Sequence, residues 1–197
     1  MLNPDGCIIG NHRTNMAKFD LNRQWEIPNQ GLSPSVFTLK GIIANLVDRN
    51  RAPFCYVDLH GHSIKKNSFL FGCEGSTEVF ALPRLMNSLP MFSMMNCRFQ
   101  LTRERCARTV VYRRLGVLRS YTLESTYNGC DQGPLYGMQI TETELAELGV
   151  GLLGQILTLR RQILTGRTAA DSDTLDANRN THDSDQNSDS AAESDEY

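Results

Sequence analysis

The segment that most limits what this chain can fold into is Phe54-Cys55-Tyr56-Val57-Asp58-Leu59, followed at once by His60-Gly61-His62-Ser63. Aromatic, β-branched and aliphatic residues crowd a run too short for a helix, so it reads as a buried strand that stops at the two histidines. Helices read on both sides of it. Ser33-Pro34 is an N-cap followed by proline at the first helical position. Val36, Leu39, Ile42, Ile43, Leu46 and Val47 then recur at helical spacing as far as Arg49. Thr141 with Glu144 makes a capping box. Leu145, Leu148, Leu152, Leu153, Ile156, Leu157 and Ile163 continue it as a long amphipathic helix. Gly149, Gly151 and Gly154 weaken that helix by about 1 kcal/mol each relative to alanine, so one of them is expected against a neighbouring element. Further strands are expected at Ser68-Phe69-Leu70-Phe71-Gly72, Thr109-Val110-Val111-Tyr112 and Ser120-Tyr121-Thr122-Leu123. In the loop-rich residues 1–34, Cys7-Ile8-Ile9 reads as a strand end, and residues 76–100 read as helical or irregular. Strands alternating with helices imply an α/β sheet.

Charge divides the chain in two. Residues 168–197 carry nine acids and one base, a net charge of −8, which leaves residues 1–167 at +6. The basic part favours an acidic partner. The tail is rich in Ser, Asp and Asn, has no aromatic before Tyr197, and is expected to be disordered. No apolar run approaches the length of about 20 residues that crosses a bilayer. Met1–Gly6 has neither a basic nor an apolar stretch, so no secretory signal is expected. The six cysteines include no CxxC pair and read as reduced, mostly buried thiols of a cytosolic protein.

Function in open α/β sheets concentrates at the carboxyl ends of strands. His60 follows one strand directly and Glu124 follows another. A neutral imidazole can ligate a metal, and a carboxyl partly withdrawn from water holds a proton more firmly. Together they suggest a metal-activated water with a glutamate base. A strand-end histidine is more often a hydrogen-bonded structural residue than a ligand. Asn22-Arg23 offers a planar fork that matches a carboxylate, and Arg13 offers a further cation. The bland alternative is two loop arginines on a solvated face.

These pieces occur in a recognisable order: Asn3-Pro4-Asp5-Gly6, Gly10-Asn11-His12-Arg13, Asp20-Leu21-Asn22-Arg23-Gln24-Trp25, Asp58-Leu59-His60-Gly61-His62-Ser63-Ile64-Lys65-Lys66-Asn67, Ser120-Tyr121-Thr122-Leu123-Glu124-Ser125-Thr126 and Gly129-Cys130-Asp131-Gln132-Gly133. From residue 1 to about residue 165 the chain closely resembles the cytosolic carboxypeptidases, zinc metallocarboxypeptidases that shorten polyglutamate on tubulin and other proteins. The wording at Asp20–Trp25 and Gly129–Gly133 is most similar to the ATP/GTP-binding-protein-like branch, although no phosphate-cradling Gly-x4-Gly-Lys pattern is present. The resemblance implies a partial carboxypeptidase-type mixed sheet flanked by helices. It implies that His60 is a zinc ligand and Glu124 the general base. Asn22 and Arg23 would clamp the substrate's terminal carboxylate, and Arg13 would stabilise the oxyanion. His62 would support the pocket or make a structural hydrogen bond. Arg108 would line a pocket for a glutamate side chain, with Arg103, Arg105 and Arg113 as rivals.

The family's other two zinc ligands lie in a His-x-x-Glu motif upstream of Asn3, and this chain has no His-x-x-Glu. Residues 1–166 are therefore expected to be the C-terminal part of a catalytic domain, with residues 167–197 as its acidic tail. One zinc ion is the expected cofactor, with two of its three protein ligands missing from this chain. Alone, the chain is expected to be inactive and poorly soluble, with sheet edges and apolar faces uncovered. The expected partners are glutamylated protein tails such as those of tubulin, in the cytoplasm, and the missing half of the domain; neither nucleic acid nor membrane is expected. The alternative is a truncated, catalytically inactive product that binds acidic tails. The tail, ending Glu193-Ser194-Asp195-Glu196-Tyr197, reads as solubilising or as a segment that folds back on the basic pocket.

Overall fold

Seven consecutive residues, Ser120–Thr126, form a strand whose two faces are almost entirely buried, although only one of them is apolar. Tyr121 and Leu123 point to one side; Ser120, Thr122, Glu124 and Thr126 point to the other. A strand buried on both faces lies inside a sheet, and this one, β4, has a neighbour on each edge. The computed structural model describes residues 1–75, 77–100 and 105–166. Among them, β1 (Tyr56–His62), β2 (Ser68–Gly72), β3 (Arg98–Phe99) and β4 form one mixed sheet in the order β1-β4-β2-β3. β1 runs parallel to β4, β2 runs antiparallel to β4, and β3 is parallel to β2.

Helices cover both faces. Tyr121 and Leu123 join Leu70, Leu82, Met86, Leu148 and Leu152 in one core, which packs the sheet against α3 (Ala81–Met86) and α5 (Glu142–Leu164). On the other face a second core gathers Trp25, Val36, Ile43, Ala107, Val110 and Val111 from the loop after α1 (Pro4–Ile8), α2 (Pro34–Asp48) and α4 (Ala107–Leu115). Tyr56 of β1 meets Trp25 edge-on, with ring centroids 5.8 Å apart.

The expected mixed α/β sheet flanked by helices is present, and four local expectations need correction. Thr109–Tyr112 is not a strand but lies within α4. Its β-branched residues repeat at the wrong period for a strand, because Ala107, Val110 and Val111 turn to one side at helical spacing. The helix is closed by Gly116, whose φ of 69° favours glycine. Cys7-Ile8-Ile9 is not a strand end either. Asn3 accepts a hydrogen bond from the Gly6 N–H and Pro4 opens a helical turn, which leaves Ile8 and Ile9 exposed. β1 does not stop before His60 but carries both histidines, and β4 likewise runs through Glu124. Nor is β1 buried throughout: among the described residues β4 is its only strand partner, and Leu59 is exposed.

Other expectations stand. The capping box at Thr141 and Glu144 is formed, and α2 begins at Pro34. Ser33 precedes it, but its hydroxyl bonds to Asn29 rather than to the helix. All six cysteines are free thiols; Cys7 is exposed, Cys55 half-buried and the rest buried, and burial pushes Cys55 up to about 12. The tail and Arg103 lie outside the described residues.

Gly151 is the α5 glycine that faces a neighbour: a Cβ there would lie 2.8 Å from Leu89. Gly149 faces open space. Gly149→Ala is therefore expected to raise stability by up to about 1 kcal/mol. Gly129 is the opposite case, with φ of 82° and a Cβ position 2.4 Å from the Met138 carbonyl oxygen. Gly129→Ala is expected to lower stability by about 1–2 kcal/mol or more. Urea denaturation of the two variants checks both signs.

Candidate active site

The register of β1 on β4 sets His60 directly beside Glu124, with Asp58 beside Thr122 one step back on the same face. His60 lies between two carboxylates. Its Nε2 donates to Asp58 Oδ2 at 3.0 Å, and its Nδ1 lies 3.8 Å from Glu124 Oε1. Burial alone would lower the pKa of His60. The hydrogen bond to Asp58 and the charges of Asp58, Glu124 and Asp20 outweigh it, so the pKa is raised. When neutral, the ring keeps its proton on Nε2 for Asp58 and presents the Nδ1 lone pair towards Glu124. Metal-ligating histidines are held in this way.

Glu124 is 8% exposed, in the middle of β4, with His60 on one side and Phe69 on the other. Two positions back on the same face, Thr122 Oγ1 accepts a hydrogen bond from Arg108 Nη1 at 3.5 Å. Arg108 is 7% exposed and sits on α4, with its guanidinium 5.4 Å from the centre of the Phe71 ring. Its Nε is buried without a hydrogen-bond partner, and among the described residues no carboxylate lies within ion-pair distance of it. A buried cation with no anion beside it among the described residues is costly. Of its rivals, Arg105 and Arg113 are exposed.

A turn of 3-10 helix, Leu21–Arg23, supplies the next group. Asp20 caps this turn by accepting from the Asn22 N–H, and its other carboxylate oxygen binds Arg13 Nη2 at 2.8 Å and lies 3.9 Å from Arg23 Nε. Asn22 Oδ1 accepts the N–H of Ala107, the first residue of α4, at 2.9 Å. Its amide donors are what it has left for a ligand. Arg13, Asn22 and Arg23 are thus brought together, and Asn22 ties them to the helix that carries Arg108. His62 follows His60 by two residues on β1 and so lies on the same face. It meets Phe69 edge-on at 5.1 Å, with Lys65 5.2 Å from the same ring, and burial and Lys65 lower its pKa.

Two residues of this arrangement escaped sequence reasoning. Asp58 stands two residues before His60, which on a strand means the same face, and that period was the available signal. Asp20 precedes Asn22-Arg23 by the spacing of a side chain that caps a turn.

Zinc is the metal that the resemblance implies. A catalytic zinc takes three protein ligands, and the resemblance implies His60 as one. Among the described residues no group of three His, Cys, Asp or Glu side chains could hold a metal ion. The described residues therefore fit one ligand position and do not by themselves make a zinc site.

Comparison with known proteins points the same way. No protein-family model matches the chain. Cytosolic carboxypeptidase 1 of Xenopus laevis is 42% identical over 182 residues, covering 82% of this chain and 15% of that protein. The Homo sapiens protein of the same name is 41% identical over the same shares. Cytosolic carboxypeptidase 4 of Mus musculus is 42% identical over 170 residues, covering 76% of this chain and 15% of that protein. The chain thus spans about 15% of the length of these relatives. Among solved structures, a metallo-carboxypeptidase from Pseudomonas aeruginosa shares the fold with a TM-score of 0.71 at 23% identity, over 82% of this chain and 44% of that one. A metallo-carboxypeptidase from Burkholderia cenocepacia follows at 0.69 and 25% identity, over 82% and 43%. With 42% identity to cytosolic carboxypeptidase 1 and the sheet of a metallo-carboxypeptidase, the chain belongs to the cytosolic carboxypeptidase family.

Proposed function

We propose that this chain is the substrate-binding and proton-transferring part of a zinc metallocarboxypeptidase that removes glutamate from the ends or side-chain branches of proteins, tubulin among them. The observation that carries the reading is the shared face of β4, where Glu124 lies beside His60 and two positions from Thr122, which accepts from the buried cation Arg108. A cation held in a dry site, with no carboxylate beside it among the described residues, favours an acidic side chain over an apolar one. In this reading Arg108 receives the glutamate carboxylate. Asn22 and Arg23 hold the terminal carboxylate, and Asp20 keeps Arg13 and Arg23 near it. Glu124 is the group that takes and returns a proton. His60, oriented by Asp58, is one zinc ligand, and the others come from sequence outside these 197 residues. Zinc, when bound, supplies an activated water. The relatives are named cytosolic, and we place this chain in the same compartment.

A second reading has an observation of its own. The described residues offer one zinc ligand and a cation-lined site, which suits binding of acidic tails without hydrolysis.

One fusion separates the two readings. It joins this chain to the segment that precedes the matching region in cytosolic carboxypeptidase 1 of Mus musculus. The fusion is expected to bind one zinc ion and to release glutamate from a peptide ending in several glutamates. Glu124→Gln is expected to keep the zinc and lose roughly 10²–10⁴-fold in activity; His60→Ala is expected to lose the zinc. A folded, zinc-loaded fusion that binds the peptide and leaves it intact would favour the binding reading.

The Asp58 contact has a test without metal. Because the carboxylates favour the imidazolium, its stabilisation is complete below the ordinary pKa of histidine and vanishes as pH rises through the raised value. Asp58→Asn is therefore expected to lower the His60 pKa in an NMR titration, and its stability deficit is expected to shrink as pH rises. An unmoved titration midpoint would show that Asp58 does not hold the ring.

A further inference from the structure

α5 is apolar on two opposite faces, and the sheet uses only one. Leu148, Leu152 and Leu159 are buried against the core. On the other side Val150, Leu153, Leu157 and Leu164 are 61% to 76% exposed. Their spacing of three, four and seven residues is the seven-residue repeat by which one helix seats against another. Ala146 extends the row towards the N-terminus and is also exposed. A helix that faced only water on this side would carry polar residues there. A shallow groove beside the row is lined by Glu142, Thr143, Ala146, Glu147, Val150 and Gly151.

Charge selects the occupant. The N-terminal half of the exposed side carries Glu142 and Glu147, and the C-terminal half carries Arg160 and Arg161. None of the four forms a salt bridge among the described residues. A second α5 laid alongside in the same direction would set glutamate on glutamate and arginine on arginine. Laid antiparallel, with the two-fold axis near Leu153 and Gly154, it sets Val150 against Leu157 and Glu147 against Arg161, twice by symmetry. A Cβ at Gly154 would meet no atom within 4 Å, so the partner's Leu153 has room there.

We propose that the outer face of α5 is a homodimer interface, taken by the same face of a second copy running antiparallel. The proposal does not rest on the catalytic reading above.

Sedimentation equilibrium of the 197-residue chain tests it. The wild type is expected to dimerise, and Leu153→Glu to be monomeric with an unchanged circular dichroism spectrum. Glu147→Arg and Arg161→Glu are each expected to weaken the dimer by about tenfold or more, since they turn attraction into like-charge contact at two symmetric places. Combined in one chain, the two substitutions restore opposite charges across the antiparallel pair, and the dimer is expected to recover. A monomeric wild type, a dimer indifferent to Leu153→Glu, or a double variant no tighter than the single ones would overturn the proposal. So would a monomeric fusion with the upstream segment of the relative in which Leu153→Glu lowers thermal stability, because the face would then serve a contact within one chain.

Discussion

The parallel pairing of β1 with β4 is the constraint on which the site depends. Neither strand holds a site alone. β1 brings Asp58 and His60, β4 brings Thr122 and Glu124, and the register sets each of the first pair beside one of the second. A slip of one residue would turn one strand's polar row to the opposite face. The register is held from below by apolar packing. Tyr121 and Leu123, alternating with the polar row, are locked into the core beneath α3 and α5. The hydrophobic face of β4 thus fixes the chemistry of its polar face.

Burial gives that polar face its character. A strand interior that contains Ser120, Thr122, Glu124 and Thr126 needs partners for each of them. Ser120 finds the Arg108 carbonyl, Thr122 meets the Arg108 guanidinium, and Glu124 finds His60. Arg108 therefore contacts β4 through both its backbone and its side chain, which seats the N-terminus of α4 on the sheet. The same desolvation that makes these contacts strong raises the electrostatic cost of the Arg108 guanidinium, which has no carboxylate within ion-pair distance among the described residues.

Much of this was legible in the sequence, for physical reasons that differ by element. α2 and α5 announce themselves through caps and long apolar periodicity, and β2 and β4 through short β-rich runs. α4 was hidden because Thr109-Val110-Val111-Tyr112 has strand composition, while its helical period shows only when Ala107 is counted with Val110 and Val111. The Cys7-Ile8-Ile9 run misled because apolar residues in so short a stretch carry no period. At the site, His60 and Glu124 stood out as charged groups at apolar runs. Their partners Asp58 and Asp20 did not, since a carboxylate's role depends on which face or turn it shares and not on its own type. That Arg108 is buried while Arg113 is exposed follows from the helical period of α4, which the strand-like composition had hidden.

The bond from the Ala107 N–H to Asn22 Oδ1 joins the turn of Asn22 and Arg23 to the first residue of the helix that carries Arg108. The backbones that carry Arg23 and Arg108 are thus linked through a single short side chain. A displacement of the turn is passed to the first residue of α4, so the two cationic groups are set as one unit and only their own side-chain torsions adjust the distance between them.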